Sequence, residues 1–111
     1  MIKLDISPVA ERRLRENLGE QSGVIKMFYD NEGCGCDGVT TLLIQNERGK
    51  YDVAMDAGSF SFVIDQQHQL FYESVLRLDA EEKYSDFKLV SHSMIYSTHV
   101  NIRDMRQETT D

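Results

Sequence analysis

The chain has 111 residues, 41% hydrophobic and 28% charged. That is enough for one domain with its own core and too apolar for a chain that stays unfolded. A formal net charge of −7 excludes a general binder of nucleic acid or anionic membrane, which needs clustered Lys and Arg.

The opening Met1–Asp5 lacks a charged segment followed by a long apolar run, and no window approaches the roughly 18 apolar residues of a membrane span. The expectation is a cytoplasmic protein. Ile2, Leu4 and Ile6 alternate with polar residues, the pattern of a half-buried strand. Ser7-Pro8 then opens a helix, because serine caps free amides and proline tolerates the first helical position. Val9, Ala10, Leu14 and Leu18 form its apolar stripe, and Gly19 is its stop. The one basic cluster, Arg12, Arg13 and Arg15, shares this helix with Glu11, Glu16 and Glu20 and reads as a solvated face.

Val24 to Tyr29 is a strand with apolar residues on both faces. Asp30 to Gly38 is a glycine loop, and Val39 to Ile44 is a β-branched strand. Asn46 to Gly49 is a turn. Tyr51–Met55 and Phe60–Ile64 read as a hairpin about Asp56–Ser59. Asp65 to Leu70 reads as a helical turn, Ser74 to Leu78 as a strand, and Ala80 to Ser85 as an acidic loop. Phe87–Val90, Met94–Tyr96 and Val100–Ile102 are three further strand segments. The expected fold is α+β and mostly β, with one amino-terminal helix and several short strands in mixed sheets. Residues 1–105 form a single core domain and 106–111 a polar tail.

The only two cysteines, Cys34 and Cys36, lie one glycine apart in the loop. In a reducing compartment such a pair points to metal or redox chemistry rather than a structural disulfide. A bridge between them would also close a very small, strained ring. On an extended backbone the two side chains point the same way, and Gly35 lets the chain fold so that both sulfurs converge. Two thiolates fall short of the roughly four ligands of structural zinc or common iron–sulfur clusters. A symmetric dimer, a histidine of the same chain, glutathione or a partner protein would complete the shell. Backbone N–H groups about Gly33, Gly35 and Gly38 would help stabilise thiolate charge. The plain alternative is that both cysteines merely occupy a tight turn.

His68 lies in a polar stretch and is expected at the surface. His92 and His99 are seven residues apart, with no short ligand spacing. Each reads first as a surface or hydrogen-bonded histidine. His92, flanked by Ser91 and Ser93 in a polar break between strands, is the better candidate third ligand. Glu81 and Glu82 fall in a solvated loop, and Asp52, Asp56 and Asp65 at strand ends where Asp bonds the local backbone. There is no GxSxG element and no phosphate loop, so no catalytic motif is found. Phe28, Tyr29, Phe60, Phe62, Phe71 and Tyr72 are assigned to the core.

The opening strand, the Ser-Pro-capped helix with its Ala10-x-x-x-Leu14 pattern, and Ile25–Tyr29 running into Glu32-Gly33-Cys34 together resemble the HesB-like domain of A-type iron–sulfur cluster biosynthesis proteins. Asp56–Asp65 resembles that family's next hairpin, and Asp86–Leu89 its final strands. The resemblance implies a loop cysteine that joins two carboxy-terminal cysteines of a Cys-Gly-Cys motif to bind iron or an iron–sulfur cluster, usually across a dimer. Here Gly33-Cys34 matches the start of the loop motif and Cys36-Asp37-Gly38 its end, so the register is ambiguous by two residues. Ile102 to Arg106 contains no cysteine, so the three-cysteine site cannot form.

The implied protein is a non-enzymatic member of a divergent, short branch. It would bind iron or a cluster through Cys34 and Cys36, with a second copy or an iron–sulfur assembly protein as partner. Two alternatives stand beside it. One is a metal-free structural or interaction domain of the same fold; the other is a thiol redox element, for which a depressed thiol pKa would be diagnostic.

Overall fold

The computed structural model describes residues 1–30 and 39–106. Strand β1 (Lys3–Ile6) ends at Ser7, and helix α1 (Pro8–Leu18) begins there. Ser7 is buried and extended, and its Oγ accepts from the Ala10 N–H at 3.3 Å. Gly19 closes the helix at φ 66°, where a side chain would be strained, and its N–H donates to the Arg15 carbonyl. Ala10 and Leu14 are fully buried, and α1 packs against the later strand β6 (Val75–Ala80).

The remaining strands are β2 (Val24–Asp30), β3 (Val39–Gln45), β4 (Asp52–Met55), β5 (Phe62–Asp65), β7 (Phe87–Ser91) and β8 (Ile95–Asp104). A one-turn 3-10 helix, His68–Phe71, joins β5 to β6. The eight strands form one mixed sheet in the order β1-β6-β7-β8-β3-β2-β5-β4. Its two edges almost meet. Leu4 N–H donates to Asp56 O, and Asp56 N–H to Ile2 O, each at 2.8 Å. The sheet is therefore nearly a closed barrel, which leaves little edge for pairing with another chain.

Period-two alternation fills the interior. Ile25 and Met27 of β2, Leu42 and Ile44 of β3, and Phe62 and Ile64 of β5 are all essentially inaccessible. Burying each such side chain contributes about 1.5–3 kcal/mol. The expected α+β, mostly β architecture with one helix and mixed sheets is the observed one, and the expected hairpin is the antiparallel pair β4/β5.

Two details differ from the sequence reading. Ile95-Tyr96, from the expected Met94–Tyr96 segment, and Val100–Ile102 are parts of one ten-residue strand, β8. It pairs first with β7 and then, from Asn101, with β3. Phe87 faces Val100 while Leu89 faces Ser97, so Thr98 and His99 oppose Lys88 alone. The polar residues between the two apolar segments form this bulge. Arg106, placed in the polar tail, is instead held fast. Its side chain is 8% exposed and donates to the carbonyls of Asn17, Leu18 and Gln21 at the end of α1.

The β3–β4 connection is tied down by Asp52, whose carboxylate is buried. One oxygen meets Lys26 Nζ of β2 at 3.0 Å, and the other accepts the Gly49 N–H at 2.7 Å. Arg48 donates to the Asp52 carbonyl.

Candidate metal-binding loop and the aromatic cluster at its root

Cys34, Cys36 and the glycines Gly33, Gly35 and Gly38 lie outside the described residues. Their anchorage is described. β2 and β3 pair without interruption from Val24↔Gln45 to Asp30↔Val39. The loop's two ends therefore leave the barrel side by side, roughly 5 Å apart, from central strands with a filled core behind them. A loop carried on so rigid a pair is where binding residues commonly sit.

The root of the loop is aromatic. Tyr29 stacks on Phe71 with centroids 4.7 Å apart. The His68 ring lies 5.9 Å from Tyr29, 6.3 Å from Phe28 and 6.0 Å from Phe71. Tyr72 meets Tyr29 edge-on and Tyr96 at 5.1 Å, and its hydroxyl pairs with Thr40 Oγ1 at 2.7 Å. Burial pushes the Tyr72 phenol up to about 12. Topology explains the gathering. β5 runs parallel to β2, with Met27 opposite Ile64, so chain leaving β5 arrives where the loop begins. Asp65 Oδ1 then accepts the Gln67 N–H at 2.8 Å and turns the chain into the 3-10 helix. Sequence reading put these aromatics in the core. Tyr72 is indeed buried, but Phe71 is 56% exposed.

The histidines do not lie where their sequence contexts put them. His68 was expected at the surface and is half-buried. Its Nδ1 is inaccessible and takes no hydrogen bond among the described residues. Such a group costs roughly 1–3 kcal/mol. The available signal was the spacing of His68 and Phe71, since residues three apart eclipse on a 3-10 turn.

His92 is exposed on the β7–β8 turn. The flanking Ser91 and Ser93 hydroxyls both donate to the Glu73 carboxylate. These bonds, Ser91 first, hold Glu73 below the usual carboxylate range, with a smaller contribution from His92. His99 is exposed and its Nδ1 lies 3.2 Å from Asp86. Among the described residues no three His, Cys, Asp or Glu side chains group around a metal position, and of the three histidines His68 is the one in ring contact with the loop's root.

The last described residues, Met105 and Arg106, lie at the end of β2 opposite Asp30. β8 runs parallel to β3 from Thr41↔Asn101 to Ile44↔Asp104, and Met105 N–H donates to Ile44 O at 2.7 Å. The Arg106 side chain then packs by Gly23, just before β2 begins. β2 has seven residues, about 20 Å of strand, and the loop is at its other end.

Residues 2–104 match the model of the family described as iron-sulphur cluster biosynthesis. No curated protein matches the chain. A candidate Fe-S biosynthesis protein from Lactobacillus salivarius superposes with a TM-score of 0.79 at 15% identity, over 96% of this chain and 100% of that one. Another from Lactobacillus acidophilus gives 0.74 at 9% identity, over 91% and 88%. SufA of Escherichia coli, involved in biosynthesis of iron-sulfur clusters, gives 0.61 at 19% identity, over 78% of each chain. At these identities the structures speak for the fold, and the family match speaks for descent. Among the described residues no helix is long and apolar enough to cross a membrane. The chain belongs to the iron–sulphur cluster biosynthesis family.

Proposed function

We propose that this protein is a non-enzymatic component of iron–sulfur cluster assembly that binds iron or a cluster through Cys34 and Cys36. The family match over residues 2–104 carries this reading. The fold supports it by suspending the only two cysteines from the β2–β3 pair, where a filled barrel holds both ends of the loop in place.

The residues present fit a thiophilic metal in part. Two thiolates one residue apart chelate a soft ion, and imidazole is the common nitrogen donor beside them. The buried, unbonded Nδ1 of His68 at the loop's root is such a donor. Bound iron would supply the electron-accepting centre on which a cluster is built. The chain's own part is to present thiolates, to offset their charge with glycine-loop N–H groups, and to keep apolar rings around the root. A fourth ligand comes from a second copy, as a homodimer, or from an assembly partner.

The chain differs from the three-cysteine pattern at its carboxy terminus. Ile102 to Arg106 carries no cysteine, and Arg106 is bonded to the end of α1. Ligands therefore concentrate in the β2–β3 loop.

Anaerobic reconstitution with iron and sulfide tests the reading. Wild type should develop thiolate-to-iron absorption, and the double variant C34S/C36S should not. Spectra of the intact protein that stay clear at every iron and sulfide dose would overturn it.

A further inference from the structure

Large apolar side chains gather at the surface where β2 ends and β6 and β8 begin. Leu70 and Phe71 of the 3-10 helix, Val75 at the start of β6, Met94 just before β8 and Ile95, its first residue, are all exposed. They form one patch, because segment 70–75 is bonded to the β7–β8 turn. The Tyr72 ring packs on Tyr96 at 5.1 Å, and the Glu73 N–H donates to the Tyr96 hydroxyl at 2.9 Å. The Ser91 and Ser93 hydroxyls donate to one oxygen of the Glu73 carboxylate. Leu76 faces Ser91 and Ile95 faces Val90, and Phe71 is fixed by its stack on Tyr29. Contiguous apolar surface on the order of several hundred Å² marks an interaction site. A surface already held in place loses little freedom on docking.

The patch is also nearly uncharged. Asp, Glu, Lys and Arg make up 28% of the chain, yet none occurs from Gln66 to Tyr72 or from Val90 to Ile102. Its exposed polar neighbours are Gln66, Gln67, His92 and Ser93. Glu73 is the carboxylate among them, tied to the two serines. Lys3, opposite Val75, and Arg77 lie at one border. Most of the net charge of −7 therefore lies elsewhere on the molecule.

This pattern fits a second copy of the same chain. In a two-fold interface a residue near the axis meets its own image, so a charge there faces its like. An uncharged patch bordered by Gln and Ser meets its image without that cost. It also has the composition of an interface centre, poor in charge and rich in aromatic residues and Met. Over the rest of the surface two acidic copies repel.

We propose that this protein self-associates as a two-fold dimer through the face of Leu70, Phe71, Val75, Met94 and Ile95. The interface needs no metal, so it stands apart from the metal-binding reading.

Sedimentation equilibrium of the full chain, in EDTA and reductant, tests it. These additives remove metal-linked and disulfide-linked dimers, so the outcome is independent of iron binding. Wild type should pass reversibly from one-chain to two-chain mass in the micromolar range. Rising NaCl should tighten the dimer, since salt screens the repulsion between two acidic chains and leaves apolar contact intact.

Leu70 is 83% exposed and Ile95 60%, so Leu70→Glu and Ile95→Glu should fold, with circular dichroism and melting as the check. Leu70→Gln and Ile95→Thr take their place if they do not. Each should raise the dissociation constant roughly tenfold or more, because the two-fold axis places the change in the interface twice. Tyr84→Glu adds the same charge at an exposed aromatic beyond the other end of β6 and should dimerise as wild type does. Wild type that stays at one-chain mass up to about 1 mM overturns the inference. Dimers that both patch variants leave intact, or that Tyr84→Glu breaks as strongly, overturn it too, as does a dimer that salt dissociates.

Discussion

The Tyr72 phenol and the Thr40 hydroxyl meet at 2.7 Å where β3 leaves the cysteine loop. Both residues are buried, so the bond joins the loop's exit strand to the segment that follows the 3-10 helix. Tyr96 packs on the Tyr72 ring, and its own hydroxyl accepts the Glu73 N–H at 2.9 Å. The aromatic floor of the loop is thereby linked to β3 and β8 at once.

The buried Tyr72 phenol has a pH signature. Burial raises the Tyr72 phenol from 10.0 to about 12, so the folded state holds the proton more tightly than the unfolded state. The preference costs nothing below pH 10, where both states are protonated. It removes stability as pH rises from 10 to about 12, by up to about 3 kcal/mol. Unfolding free energy measured by urea across this range should fall for wild type, and Tyr72→Phe should lose that part of the slope. At neutral pH Tyr72→Phe should cost roughly 1–2 kcal/mol, because Thr40 Oγ1 is left buried without its partner. Parallel pH profiles for the two proteins would contradict this account.

The Lys26–Asp52 pair should be costly to break from the acidic side. The Asp52 side chain is 2% exposed and that of Lys26 17%. Asp52→Ala strands the ammonium and also releases the Gly49 N–H. A loss of about 3 kcal/mol is expected, near the lower end for a broken buried pair. It should appear as a lower urea midpoint with an unchanged slope. An unaltered midpoint would mean that the β3–β4 connection holds itself in place.

Arg106 should tie the end of β8 to helix α1. A protein cut after Met105 should melt several degrees lower than one cut after Arg106. Arg106→Ala should match the shorter cut, since each loses the donors to Asn17, Leu18 and Gln21. Two or three such bonds from a charged donor to carbonyls are worth about 2 kcal/mol in sum after desolvation and side-chain ordering. Equal melting of both truncations would assign Arg106 no part in the fold.

Ser7 couples helix capping to acid stability. Its hydroxyl caps α1 and, by hydrogen bonding, is the main cause of the lowered pKa of Asp79. A carboxyl lowered in the folded state adds stability above the unfolded value of about 4, and that stability is lost as pH falls through the folded value. Ser7→Ala should cost about 1 kcal/mol at pH 7 from the lost cap. It should also flatten the loss of stability below pH 4. An acid limb identical to wild type would separate Asp79 from Ser7.

Local patterns in the sequence were enough for most of the elements. Alternation marked β1, an apolar run and a β-branched run marked β2 and β3, Ser7-Pro8 and Gly19 bounded α1, and the turn residues between Met55 and Phe60 marked the β4/β5 hairpin. These signals act within a few residues, where backbone and side-chain sterics decide the outcome. Cys34 and Cys36 stand out as a candidate pair for the same reason, because two soft ligands one glycine apart need no distant partner to be noticed. What only the tertiary structure decided were relations between segments far apart in the chain. The parallel pairing of β2 with β5 carried His68 to the root of the loop. The β3/β8 pairing carried Met105 and Arg106 to the opposite end. His92 had the more polar, ligand-like neighbourhood in sequence, and His68 has the buried nitrogen beside the loop in space. Side-chain alternation specifies which face of a strand is buried, but strand order and register decide which neighbours it meets.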